Sequence, residues 1–200
     1  MRDKSPLGLH DDPISEFERW FARAAESEIR LPDAVALATV SASGRPSNRM
    51  VLYRGIVDQG LTFFTNYTSR KARHLEANPH AALVFHWEAL ERQVRFEGEV
   101  LRLNPEQSDA YFAIRSRPSR IGAWASFQST PYRERDEILA RYAEIEARFE
   151  DADVPRPDFW GGYRLVPDRV EFWAGMPHRL HDRVEYRRRD DGWERHRLQP

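Results

Sequence analysis

LTFFTNYTSRKARHLEANPHAALVFHWEALERQVRFEGEVL, residues 61–101, changes its period repeatedly, and those changes set the fold class. Leu61 to Thr65 reads as a strand that follows the turn Asp58-Gln-Gly60. Ser69 to Ala77 reads as a short helix closed by Asn78-Pro79. Ala81 to Trp87 is nearly all apolar, as in a strand covered on both faces. Gln93 to Leu101 alternates, with Val94, Phe96 and Val100 on one side and Gln93, Arg95, Glu97 and Glu99 on the other.

The same grammar extends in both directions. Upstream, Asp12-Pro13 supplies an N-cap and a first-turn proline. Ile14, Phe17, Trp20, Phe21, Ala24 and Ala25 then recur at helical spacing. Strands are predicted over Ala34 to Val40 and Arg49 to Ile56, joined by a turn at Ser41 to Gly44. Downstream, Asn104-Pro105 opens a helix to about Arg115, and a second short helix covers Ser119 to Ala125. Glu134 to Phe149 carries Ile138, Tyr142, Ile145 and Phe149 on one helical stripe, and Val154-Pro-Arg-Pro157 ends it. Three β units close the chain: Gly162 to Leu165, Arg169 to Trp173, and a hairpin pairing Arg183 to Arg187 with Trp193 to Leu198 across Asp190-Asp-Gly192. Short antiparallel strands with interspersed helices predict an α+β domain built on a small barrel.

Composition narrows the function classes. A length of 200 residues suits one domain, and a hydrophobic share of 40% is enough for a core. Thirty-one Lys and Arg against thirty-two Asp and Glu leave a net charge of -1, which argues against a generic nucleic-acid coat. No apolar run approaches the roughly 20 residues of a membrane helix. The first residues lack the apolar stretch of a secretory signal, so a soluble cytoplasmic protein is expected. The absence of Cys excludes disulfides, thiolate metal sites and a Cys nucleophile. No metal ligands are nominated.

Three clusters carry chemistry. In Asn66 to Arg73, Arg70 and Lys71 occupy a predicted first helical turn, where the helix already presents partial positive charge. A phosphate there would take the free N–H groups, Ser69 and both cations, with Arg49 able to join; a solvated basic helix start is the alternative. Arg179, His181 and Arg183 alternate strictly and would share one face of an extended chain, suited to an anion, or form a solvated edge strand. Tyr111 and Arg115 lie four apart on one helix face, with Ser119 at the next helix start. They make either a second phosphate cradle or a tyrosine packed over an arginine stem.

In this order the segments RMVLYRG (49–55), FFTNYTSRKARHLEANPHAALVFHW (63–87), ERQVRFEG (91–98), YFAIRSRPSRIGAWAS (111–126), FWGGYRLVPDRVEFW (159–173) and HRLHDRVEYRR (178–188) resemble the pyridoxamine 5'-phosphate oxidase family. The resemblance implies an FMN-binding antiparallel split β-barrel of Greek-key type with flanking helices, over residues 13–200. It leaves residues 1–12 as an N-terminal extension, expected to be flexible, and implies a homodimer holding flavin between subunits. On matching positions, Arg49, Met50, Val51, Leu52, Arg54, Phe64, Thr65, Arg70, Lys71, Gln93, Gln128, Ser129, Trp173 and Arg183 are implied FMN contacts. Arg54, Tyr111, Arg115, Ser119, Arg179 and His181 are implied substrate contacts, with Arg179 and His181 at the reacting carbon. The implied reaction oxidises C4' of pyridoxamine or pyridoxine 5'-phosphate to the aldehyde, with oxygen as acceptor and hydrogen peroxide released. No nucleic-acid or membrane partner is implied. The chain departs from the family at Arg54, where Lys is usual, and at Phe64, where Tyr is frequent. Other readings are a same-fold flavin oxidase acting on another ring system, of the phenazine-pathway type, and a non-catalytic protein binding FMN or pyridoxal phosphate.

Overall fold

Asp12 opens the first helix as its sequence demands, its carboxylate accepting from the N–H groups of Ile14 and Ser15. Helix α1 (Pro13–Ala25) buries Ile14, Phe17, Trp20 and Ala24 on one face. The Phe17 ring centre lies 4.9 Å from those of both Phe85 and Phe96, and Trp20 meets Phe172 edge-on at 5.1 Å. The computed structural model describes Leu7 and residues 9–200, so much of the expected N-terminal extension lies outside the described residues. Within it, Tyr186 donates its hydroxyl to the His10 carbonyl at 2.6 Å, and Arg195 donates to that of Leu9 at 3.1 Å.

The remaining elements are β1 (Ala34–Val40), β2 (Pro46–Leu52), β3 (Ile56–Val57), β4 (Gly60–Asn66), α2 (Arg70–Ala77), β5 (His80–Trp87), β6 (Arg92–Arg102), α3 (Pro105–Ala113), α4 (Arg117–Ala125), α5 (Arg135–Arg148), β7 (Trp160–Ala174), β8 (Asp182–Arg189) and β9 (Gly192–Leu198). All strand pairs are antiparallel. The order is β2-β1-β5-β6-β7-β4-β3, with β8 also on β7 and β9 on β8, so the sheet curls without closing. Leu37, Leu61, Phe63, Leu83, Phe85, Phe96, Leu165 and Phe172 fill its interior. β5 departs from expectation: Leu83, Phe85 and Trp87 are buried, but Ala82 and Val84 are only half-covered. The α5 stripe is likewise half-buried, resting on a satellite cluster of Ile121, Phe149 and Val154.

Two expected β units are one strand. β7 runs unbroken through Pro167, pairing with β4 along Trp160 to Leu165 and with β8 along Arg169 to Ala174. Proline has no N–H to give a ladder, and the sheet absorbs it at a bulge between Glu97 and Gly98 of β6. A side chain at position 98 would place its Cβ 2.1 Å from the Val166 carbonyl oxygen and 2.8 Å from the Pro167 Cα. Gly98→Ala is therefore expected to destabilise the apoprotein by about 2–3 kcal/mol, read as a lower urea midpoint at unchanged slope.

The predicted second strand is also corrected. It spans Pro46–Leu52 rather than Arg49 to Ile56, so Arg54 lies beyond its end. Gly55, at φ 96°, turns the chain there, and Arg54 donates its backbone N–H to the Thr62 carbonyl at 2.8 Å.

Candidate active site

A cleft of about 500 Å³ opens between β2, β4, the start of α2 and the α3–α4 junction. Met50, Val51 and Leu52 come from β2, Arg54 from the following turn, Phe64 and Thr65 from β4, and Lys71 from α2. Tyr111, Arg115, Ser116, Ser119, Gln128 and Trp160 complete its lining. Most of the residues nominated from sequence thus converge on one cavity.

The α2 end of the cleft is a cation cluster, and neither Lys71 nor Arg49 has an ion-pair partner among the described residues. Ser69 caps the helix, its hydroxyl accepting from the Ala72 N–H, and the first turn holds no acid. Lys71 is 8% exposed. Its ammonium donates to neutral oxygens only: Gln128 Oε1 at 2.7 Å, Thr65 Oγ1 at 3.0 Å and Ser69 Oγ at 3.5 Å. Burial, with Arg49 adding repulsion, pushes its pKa down to about 8. Arg49 is held on the Leu37 carbonyl at 2.9 Å, Thr39 Oγ1 at 2.8 Å and Ser47 Oγ at 2.6 Å. Its pKa falls through burial and the nearby Arg70. His74, buried behind them against Thr39, is lowered by burial, then by Arg70 and Arg49.

The second half of the cleft is aromatic and again cationic. Tyr111 stacks on Phe64 at 3.9 Å, and Phe64 stacks on Trp160 at 5.4 Å. The Arg115 guanidinium lies 4.7 Å above the Trp160 ring, and its Nη1 is buried with no hydrogen-bond partner among the described residues. Burial lowers its pKa, and Arg54 pushes the same way. Tyr111 is held in the ring stack with Phe64 and Trp160, and Arg115 lies over Trp160 and Phe112. For Arg54, burial would lower the pKa, but Asp33 and Tyr111 more than restore it.

Gln93, Trp173 and Arg183 form a row across β6, β7 and β8, paired in register. His181 joins them, its ring centre 4.6 Å from that of Trp173 and its Nδ1 accepting the Met176 N–H at 3.2 Å. This row does not line the cleft. It also corrects one expectation: Arg179, His181 and Arg183 do not share an extended face. Pro177 starts a 3₁₀ turn, and His178 and Arg179 take left-handed backbone at φ 62° and 61°. Arg183 instead makes a two-pronged bond to the buried Glu171, at 2.9 and 3.1 Å. Arg179 is exposed, as are Arg70 and Ser129.

Trp160, Ser116, Asp33 and Glu171 escaped sequence reading. Trp160 carries no charge signal, and Ser116 is one of several serines near a helix start. The acids become visible only as partners of Arg54 and Arg183.

Residues 21–151 match the family described as pyridoxamine 5'-phosphate oxidase, and residues 160–200 match the pyridoxine 5'-phosphate oxidase C-terminal dimerisation region. The chain belongs to the pyridoxamine 5'-phosphate oxidase family. Among relatives of that family, the pyridoxine/pyridoxamine 5'-phosphate oxidase of Rubrobacter xylanophilus is 54% identical over 193 residues, 96% of this chain and 89% of that one. The Haemophilus influenzae protein of the same name is 51% identical over 191 residues, 96% of this chain and 90% of its own. PhzG from Burkholderia lata, solved with tetrahydrophenazine-1-carboxylic acid, superposes with a TM-score of 0.91 at 35% identity, covering 96% of this chain and 95% of PhzG. A family-related FMN-binding protein from Nostoc punctiforme, at 19% identity and a TM-score of 0.75 over 93% of this chain and 96% of that one, shares the fold.

Proposed function

We propose that the chain is an FMN-dependent oxidase that converts pyridoxamine 5'-phosphate or pyridoxine 5'-phosphate to pyridoxal 5'-phosphate, with oxygen reduced to hydrogen peroxide and, for the amine, water taken up and ammonia released. The observation that carries this reading is a single cleft with two unbalanced cationic sets, one around Lys71 and one around Arg115. Neither Lys71 nor Arg115 has an ion-pair partner among the described residues, and a phosphorylated flavin beside a phosphorylated substrate supplies an anion to each.

The residues present fit FMN. Lys71, Arg49, Arg70, Thr65, Gln128 and Ser129 would hold its phosphate; Met50, Val51, Leu52 and Phe64 would line its ring. Bound FMN supplies the redox chemistry, accepting two electrons from the substrate and passing them to oxygen. Arg54, Tyr111, Arg115 and Ser119 would grip the substrate phosphate, and Arg179 with His181 would hold the pyridine ring at the reacting carbon. His181 keeps Nε2 for the substrate because Nδ1 is engaged by Met176. His181→Ala is expected to lower turnover roughly tenfold while FMN stays bound. Unchanged turnover at full FMN content would remove His181 from the reaction.

Trp160 and Trp173 lie at opposite ends of β7, a contour of about 40 Å. Within one chain the cleft and the row of Gln93, Trp173 and Arg183 therefore lie apart, and a homodimer would bring that row of the partner subunit onto the flavin. The match of residues 160–200 to a dimerisation region supports this arrangement. No helix of the described residues is long and apolar enough to cross a membrane. The cytoplasm is the proposed compartment, since a dianionic ester does not cross hydrocarbon unaided.

The likeness to PhzG supports a second reading, oxidation of a reduced phenazine carboxylate. The Arg115 cradle favours the phosphate ester. Comparing turnover of pyridoxamine 5'-phosphate with that of a dihydrophenazine carboxylic acid separates them: faster oxidation of the phenazine would replace the first reading with the second.

A further inference from the structure

The Arg54 guanidinium is held at both of its ends. Its Nε donates to the Tyr111 hydroxyl oxygen at 2.7 Å, and its Nη1 donates to the Tyr53 carbonyl at 2.9 Å and to the Asp33 carboxylate. Asp33 directly precedes β1 and Tyr53 directly follows β2; the pairing of Ala34 with Leu52 sets them opposite each other. Tyr53 also donates its backbone N–H to the Asp33 carbonyl at 2.8 Å. Both side chains of the ion pair are about a quarter exposed, at 25% and 27%. Arg54 forms a wall between the main cleft and a second, open cleft that Asp33 lines from the other side.

We infer that Asp33 is a positioning residue for the substrate-phosphate cradle, acting through Arg54 on Tyr111. An arginine side chain has many rotamers, and the one adopted points Nε at Tyr111. Asp33 selects that rotamer by holding the far end of the guanidinium. Because the Tyr111 oxygen then accepts from Arg54, its own O–H is committed outward as a donor, and the adjacent cation strengthens it. The cleft therefore presents a donor to an anionic oxygen beside Arg115. A lysine at position 54 has no planar fork to orient, so the Asp33 requirement arises with arginine. This inference rests on the assignment of Arg54, Tyr111 and Arg115 to the substrate phosphate.

The test is a double-mutant cycle on the FMN-loaded protein, using Asp33→Asn, Arg54→Met and the pair. Binding of pyridoxal 5'-phosphate is followed by titration, and steady-state oxidation of pyridoxamine 5'-phosphate gives KM and kcat. Asp33→Asn is expected to weaken pyridoxal 5'-phosphate binding and raise KM by about tenfold, with kcat within twofold and FMN content unchanged. In the Arg54→Met background the same substitution is expected to change affinity by less than twofold, the mark of an effect transmitted through Arg54. Unchanged binding in Asp33→Asn would overturn the inference, as would an equal loss in both backgrounds. Loss of FMN together with substrate affinity would also overturn it, by showing a merely structural role. Failure of the wild-type protein to bind pyridoxal 5'-phosphate would instead strike the assignment of the cradle itself.

Discussion

Lys71→Met is expected to weaken FMN binding by about two to three orders of magnitude while leaving the apoprotein at least as stable as the wild type. The two effects have one cause. Lys71 is buried, and its hydrogen bonds go to Gln128, Thr65 and Ser69, none of which carries charge. In the apoprotein the ammonium has lost water without gaining an anion, which disfavours the charged form. With FMN bound, the phosphate supplies the missing charge in a dry setting, where removing one partner of a hydrogen-bonded pair costs about 2–5 kcal/mol. A methionine keeps the apolar stem and deletes the charge.

The pH dependence has a defined sign. The Lys71 pKa is near 8 in the folded apoprotein and 10.5 ordinarily. Between those values the unfolded chain binds more protons than the folded one, so this group makes apoprotein stability rise with pH across that window. Below about pH 8 the full penalty is present. In Lys71→Met that rise disappears, and FMN, by stabilising the ammonium, reduces it in the wild type. Urea unfolding of the apoprotein at several pH values, beside a flavin-fluorescence titration, reads both effects. An apoprotein that loses stability on the substitution, with no change in FMN affinity, would show that Lys71 supports the fold and not the cofactor.

Arg115→Met is expected to lower kcat/KM for pyridoxamine 5'-phosphate by about two to three orders of magnitude. Its Nη1 is buried with no hydrogen-bond partner among the described residues, so a donor is already desolvated and waiting for an acceptor. The guanidinium is braced over Trp160 and Phe112, at 4.7 and 5.5 Å from their ring centres, which fixes its plane before substrate arrives. Deleting it leaves a dianionic ester facing a partly dry wall, and the loss is of the size seen for an unpaired buried charge. The discriminating comparison is with pyridoxamine lacking the phosphate. The preference for the ester over the free vitamer should shrink by nearly the whole factor, since only the ester loses a partner. Arg115→Lys should recover little, because a point charge neither lies flat on Trp160 nor offers two parallel donors. Equal losses for both substrates would mean that Arg115 shapes the cleft and does not bind phosphate.

Part of the main cleft was legible in the sequence for a physical reason: charge without a local partner. Arg70 and Lys71 at the start of a helix are a costly placement that stands out in a linear reading, and Arg115 stands out by its four-residue spacing from Tyr111. The apolar periods of α1 and β6 were equally plain, since the buried stripe and the alternation are local properties. What failed was non-local. Pro167 reads as a strand break until Gly98, far away in the chain, leaves room for it beside a register shift. The alternation of Arg179, His181 and Arg183 suggested one face, but Pro177 set a turn that no spacing rule registers. Asp33 and Glu171 became visible only with the strand register that brings them to Arg54 and Arg183. Ring-contact positions such as Met50 and Val51 came from family resemblance, since an apolar side chain beside a flavin and one in a core have the same sequence signature.

The most direct test of the oxidase assignment is one reaction followed by two signals. The purified protein is loaded with FMN and freed of excess, then given pyridoxamine 5'-phosphate in air while aldehyde absorbance and peroxide are recorded together. The account predicts repeated turnover, with one peroxide for each pyridoxal 5'-phosphate and no product without FMN. A holoprotein that binds FMN and the phosphate ester yet forms neither aldehyde nor peroxide would contradict it.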